Sequence, residues 1–297
     1  MTNATKIALI NVPLWFGNAG NRGVELSPEI LSCDIEHTEY APFISSKEEI
    51  KLPNVRENEQ HPKYVNEIVW VTQELRDMVS KHLHKGEFVL TIGGDHTIGL
   101  GSVAGTLQED GNVGLIWFDA HGDMNTEKTS PTGNAHGMPV AALMGLCSSA
   151  LNNVATTRIK PENIFWVGAR DLDEGEKDLA QQLHLNVYST EHIHEEGMKN
   201  VMGDIENKMR KLNITNLHLS FDVDGLDPVI FPATGVKVAK GMNLQDFEIF
   251  AVSLTTMPRI MAMDIVEYNP LLEQGEISCR RRIIALIERL LHVILRQ

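Results

Sequence analysis

Residues 115–123 read LIWFDAHGD. An unbroken apolar run gives way at once to Asp119, His121 and Asp123. A run that is apolar on both faces fits a strand buried inside a parallel sheet. Its abrupt polar end fits the carboxyl terminus of such a strand, where open α/β sheets bind their ligands. The same design recurs in FVLTIGGDH at 88–96, which ends on Asp95 and His96, and in LHLSFDVDGLDP at 217–228, which carries Asp222, Asp224 and Asp227. Extended backbone sends residues two apart to one face, so Asp119, His121 and Asp123 can converge, as can Asp222 and Asp224.

Outward from these three runs, short β-branched stretches predict strands at 7–12, 88–92, 113–118, 164–167, 187–188, 217–221 and 260–266. Between them lie helical patterns. At 64–85 the apolar stripe Ile68, Val69, Thr72, Leu75, Met78 and Val79 has helical spacing and stops at Gly86, a suitable left-handed cap. Further helices are expected at 138–150, 191–212 and 244–255. Strands alternating with helices predict an α/β fold of three layers, α/β/α, around a mostly parallel sheet. The polar stretch 45–63 reads as a surface loop, and no repeat or low-complexity tract divides the chain, so 1–297 is expected to be one domain. The closing segment CRRRIIALIERLLHVILRQ puts Ile283, Ile284, Ile287, Leu290, Leu291 and Ile294 on one stripe opposite its arginines, as expected of a helix packed on the sheet or between subunits.

Composition narrows the function. Of 297 residues, 42% are hydrophobic and 22% charged, enough for a sizeable core, and the formal net charge of -14 disfavours both nucleic acid and anionic membrane surfaces. Cys33, Cys147 and Cys279 are odd in number and in no metal-ligand spacing, which points to a reducing, cytoplasmic setting. No secretion signal and no apolar run long enough for a bilayer is seen.

An Asp that follows a strand commonly caps the next helix or makes an Asx turn, so any one of these acids has a structural explanation. Three clusters together would crowd like charges in one crevice, which is costly without cations. Carboxylates with a minority of imidazoles and no thiolate suit Mn²⁺ or a similar divalent ion better than structural zinc. Six candidate ligands, His96, Asp119, His121, Asp123, Asp222 and Asp224, are too many for one ion. A pair of ions roughly 3.5–4 Å apart would lower the pKa of a shared water from about 15.7 towards about 7. Asp95, Asp227 and Asp264 are read as structural acids.

Taken in order, the strings GNRGVELSP, GGDHTIGLGS, WFDAHGDMN, TSPTGNAHGMP, VGARDLDEGE, SFDVDGLDP, PATG and MDIVEYNP resemble the arginase, or ureohydrolase, family across most of the chain. The resemblance implies the family's three-layer fold with roughly eight strands, the six ligands just named, two Mn²⁺ per subunit, and hydroxide generated between them that attacks the guanidinium carbon of L-arginine to give L-ornithine and urea. It also implies a homo-oligomer, a trimer or hexamer.

Carried onto this sequence, the resemblance assigns the substrate α-carboxylate to Asn125, Ser130, Thr132 and Asn134, and the α-amino group to Asp173, with Glu176 acting through water. His136 becomes the proton shuttle, a role suited to imidazole near neutral pH. Glu267 becomes the receptor for the planar guanidinium. Without the likeness, TSPTGNAHG is a turn-rich loop and His136 a loop histidine bonded to backbone. One departure stands out: after PATG the family usually has Thr, and this chain has Val236. The missing hydroxyl leaves two other readings open, a hydrolase for agmatine or another guanidino acid, and a catalytically impaired metal-binding scaffold or regulatory subunit.

Overall fold

The structure, a computed structural model, describes residues 5–18, 22–55, 62–274 and 278–297. Gly20 and Asn21 of the GNRGVELSP string, and 56–61 of the expected loop, lie outside the described residues. The strands are β1 (Ile7–Val12), β2 (Ile44–Glu49), β3 (Phe88–Gly93), β4 (Gly114–Phe118), β5 (Ile164–Ala169), β6 (Asn186–Ser189), β7 (Asn216–Asp222) and β8 (Arg259–Val266). They form one eight-stranded sheet in the order β2-β1-β3-β8-β7-β4-β5-β6, with every neighbouring pair parallel. The helices are α1 (Ser27–Ile35), α2 (Val65–His84), α3 (Ile98–Glu109), α4 (Pro139–Met144), α5 (Ser149–Asn152), α6 (Glu174–Gln182), α7 (Thr190–Glu196), α8 (Met198–Lys211), α9 (Leu244–Ser253) and α10 (Cys279–Ile294).

Alternation within each strand divides the core in two, as a sheet covered on both faces requires. Leu9, Leu90, Ile116 and Phe165 face one cluster, with α1, α8, α9 and α10 packed on it. Ile10, Val89, Leu115 and Ile164 face the other, under α2, α3 and α4. The terminal helix is a core element: Ile283, Ile287, Leu290, Leu291 and Ile294 are buried, and Arg280 and Arg289 pair outward with Asp34 and Glu248. Among the described residues no helix is long and apolar enough to cross a membrane.

Three expectations need correction. The stretch 45–63 is not all loop, because 44–49 is the edge strand β2, whose alternate residues are exposed. Its sequence ISSKEE hides it, since an edge strand that carries charge blunts further pairing and buries little apolar surface. The helix expected at 138–150 ends at Met144 and restarts at Ser149, because Gly145 takes a left-handed φ of 84°. That at 191–212 is split in the same way at Gly197, also at φ 84°.

The strand order positions the site. Chain order separates β3 and β4 from β7 and β8, yet β3-β8-β7-β4 are consecutive neighbours at the middle of the sheet. Their carboxyl ends deliver His96, Glu267, Asp222 and Asp119 to one place.

Candidate metal centre and active site

Each cluster leaves its strand within a few residues, so rigid backbone fixes where the side chains meet. His96 Nδ1 lies 2.8 Å from Asp119 Oδ2, 3.2 Å from Asp123 Oδ2 and 3.1 Å from Asp222 Oδ2. His121 Nδ1 lies 3.3 Å from Asp119 Oδ1 and 3.2 Å from Asp224 Oδ2. Two donor groups result, His96–Asp119–Asp123 and Asp119–His121–Asp224, each with its atoms within 4.8 Å of one another, and Asp119 belongs to both. The Trp117 indole N–H donates to Asp119 Oδ2 at 3.0 Å, and its ring stacks on His96 at 3.9 Å between centroids.

The electrostatics favour cations. Burial and the neighbouring carboxylates hold Asp123, Asp222 and Glu267 well above the usual carboxylate range. Burial opposes charge on His96, but the Asp119 carboxylate 2.8 Å away, with Asp123 and Glu267 nearby, pushes its pKa up to about 9. His121 is raised likewise, against burial, by Asp224 and Asp119. The cage therefore favours positive charge. The buried Nδ1 of His96 makes no hydrogen bond although three carboxylate oxygens surround it, which is the stance of a ligand nitrogen. Carboxylate oxygens and imidazole nitrogens that converge in this way fit divalent cations of the Mn²⁺ kind.

Glu267 and Asp123 are both held at left-handed φ, 64° and 51°. Such strain costs about 1–3 kcal/mol per residue and persists where the surroundings impose it. The Glu267 amide donates to Gly94 O, and its Oε1 accepts the His96 amide at 2.9 Å. Its carboxylate lies 3.9 Å from His136 Nδ1. Burial, followed by the charges of His121 and His96, lowers the His136 pKa to about 4, so its imidazole is neutral and able to accept a proton.

Above the cage opens a cleft of about 510 Å³ lined by Asn125, Ser130, Thr132, Asn134, Asp173 and Glu176, all six expected substrate contacts besides Glu267. The Asn125 amide donates to Asp173 Oδ2 at 2.8 Å, tying the turn-rich loop to the start of α6. Ser130 and Thr132 hydroxyls accept the amides of Gly133 and Asn134, and each retains a proton to donate. Val236 lines both the cleft and the inner chamber that contains Glu267 and the cage. Arg170 fixes its segment by donating to Val238 O at 2.8 Å and to Asp224 O at 2.7 Å.

Glu176 is a brace. One oxygen accepts the Met124 amide at 3.0 Å, the other the Asp173 amide at 2.9 Å, within a capping box at the start of α6. Burial raises its pKa to about 7, against those backbone bonds. A carboxyl raised in the fold binds its proton more tightly there than in the unfolded chain, so its contribution falls as pH rises from about 4.5 to about 7. Glu176→Gln is therefore expected to remove a pH-dependent loss on the order of 3 kcal/mol. Urea unfolding near the two ends of that window should show a smaller pH difference for the variant; an equal difference refutes the assignment.

The three acids read as structural stand outside the donor groups. Asp95 accepts the amides of Gly17, Asn18 and Thr97, Asp227 those of Val229 and Gly241, and Asp264 lies in a buried network of its own. A Cβ on Gly94 would stand 1.8 Å from Leu14 O, so glycine there lets the segment after β1 cross the end of β3. That crossing brings Asn18 into the cleft lining, which sequence reasoning missed, as it missed Asp171. Asp171 was accessible in principle: it stands two residues before Asp173, and its backbone bridges that of His121 beyond the paired ends of β4 and β5. Nothing around Asn18 in the sequence marks it.

Fold and site together define a three-layer α/β protein with a candidate metal centre at the carboxyl rim of its sheet, beneath an open cleft. The chain belongs to the arginase family, whose model matches residues 5–291. It is 36% identical to an arginase of Entamoeba histolytica over 91% of this chain and 92% of that one, and 34% identical to an arginase of Brevibacillus brevis over 92% and 94%. A crystal structure of the Entamoeba histolytica arginase in complex with L-ornithine superposes with a TM-score of 0.88 at 35% identity, covering 96% of this chain and 98% of that one.

Proposed function

We propose that this protein is an arginase acting as a single domain over 1–297, which hydrolyses L-arginine to L-ornithine and urea with two Mn²⁺ per chain. The observation that carries the reading is the twin cage, two imidazole nitrogens each facing carboxylates and sharing Asp119. His96, Asp119, Asp123 and Asp222 would hold one cation, and His121, Asp119 and Asp224 the other. Bound cations would supply what the side chains lack, acidifying water so that hydroxide is available near neutral pH.

The chain's own residues do the rest. Glu267 binds the guanidinium by paired charge-assisted hydrogen bonds and sets its carbon over the cage. Asp173, held by Asn125, pairs the α-ammonium, while Ser130, Thr132 and Asn134 donate to the α-carboxylate without adding charge. Water adds to the guanidinium carbon, the bond from that carbon to the side-chain nitrogen of ornithine breaks, and His136 carries the proton that the departing amine takes up. A cytoplasmic homo-oligomer, trimer or hexamer, is the expected form.

Mn²⁺-dependent urea release from L-arginine compared with agmatine tests the reading. Arginine should be strongly preferred, because agmatine has no carboxylate to meet the Ser130–Asn134 loop; agmatine equal or better would refute it. Val236 is the observation favouring another guanidino substrate, since an apolar group stands at the neck between cleft and cage. Val236→Thr supplies a hydroxyl there. If arginine is the substrate, kcat/KM should rise by about 0.5–1.5 kcal/mol, roughly two- to twelve-fold. A fall for arginine with a gain for a second guanidino compound would favour the other substrate.

A further inference from the structure

Behind His96 lies a second group of buried polar side chains that hydrolysis does not use. Asp264 in β8 and His218 in β7 are both 0% exposed. Asp264 Oδ2 accepts the hydroxyls of Ser102 at 2.6 Å and Ser220 at 3.1 Å, and His218 Nε2 stands 2.9 Å from the same oxygen. Thr106 Oγ1 lies 2.8 Å from His218 Nδ1, closing the group against α3. Sheet register sets this up, because Ser220 and Asp264 are direct partners across β7 and β8.

The link to the cage is Ser220, whose Oγ is 2.9 Å from His96 Nε2. A hydroxyl has one proton, and that of Ser220 goes to Asp264. His96 Nε2 must then be the donor, which makes Nδ1, facing Asp119, Asp123 and Asp222, the nitrogen whose lone pair a cation would take. We propose that Asp264 is a positioning residue for the metal centre, acting through the Ser220 hydroxyl to hold His96 in one tautomer and orientation and to strengthen Nδ1 as a ligand. This rests on the metal reading of the cage.

A carboxylate behind a ligating imidazole orients it and raises its basicity; here one hydroxyl stands between them. His218, Ser102 and Ser220 in turn fix the carboxylate. For stability alone, apolar residues would serve such a site as well as a buried polar group. His121 has no such support, since its buried Nε2 has no hydrogen-bond partner among the described residues.

The test titrates Mn²⁺ into the metal-stripped full chain and follows free Mn²⁺ by its EPR signal, for wild type, Asp264→Asn, Ser220→Ala and the double variant. Wild type should take up two ions. Each single variant should weaken one of them by about 10- to 100-fold and leave the other unchanged, with the fold intact by circular dichroism. Because the two residues act in series, the double variant should lose no more than the larger single loss. Wild-type affinity in the single variants, or losses that add, overturns the relay while sparing the metal reading. Wild type that binds no Mn²⁺ overturns both. Should Asp264→Asn fail to fold, Ser220→Ala decides alone.

Discussion

Asp119→Asn is expected to strip the protein of bound Mn²⁺ and reduce urea release by three orders of magnitude or more, since metal activation of water supplies several kcal/mol. Asp119 is the only side chain common to both donor groups: Oδ2 faces His96 and Oδ1 faces His121. It is also held in the ionised form, its pKa drawn down, against burial, by His121 and His96. Asparagine keeps the shape and removes the charge that two cations would share. His121→Ala should instead lose one ion and nearly all turnover. His136→Ala should keep both ions, because the ring lies beside Glu267 and outside the donor groups, and lose about 10²–10⁴ in kcat as expected for an acid–base residue. Metal content by mass spectrometry beside a urea assay separates the three, and an Asp119→Asn protein with two Mn²⁺ and ordinary turnover would end the dinuclear reading.

The six cage residues could be grouped from the sequence because each follows an apolar strand within a few positions, where alternation dictates which side chains share a face. Adjacency of β7 and β8 between β3 and β4 was not legible, since strand order depends on crossovers that no local pattern encodes. β2 escaped because its exposed edge carries Ser, Lys and Glu. Gly145 and Gly197 were visible as letters, but helical periodicity runs on past both, and only their left-handed φ shows that the chain turns there. Glu176 lies in the cleft lining where the resemblance puts it, and its two backbone bonds, one to each oxygen, are a structural role that the segment alone does not show.

Glu267→Gln should retain both metals and lose substrate recognition at the reacting end. The carboxylate is buried, fixed at a strained φ of 64°, and anchored by the His96 amide, so it cannot swing to find another partner. Burial, then repulsion from Asp222 and Asp95, holds its pKa well above the ordinary range, so a cationic guanidinium arriving beside it restores the ionised form. Glutamine presents one acceptor and one donor to a group that only donates, leaving a buried positive charge poorly paired. Breaking a buried pair costs about 3–5 kcal/mol, or roughly two to four orders of magnitude in kcat/KM. Because the Gln side chain keeps an oxygen for the His96 amide, Mn²⁺ content and thermal stability should stay near those of the parent. If kcat/KM for L-arginine fell less than about tenfold, under one decade or 1.4 kcal/mol, the guanidinium would have to sit elsewhere, for which the cleft offers the acidic edge of Asp171, Asp173 and Glu176.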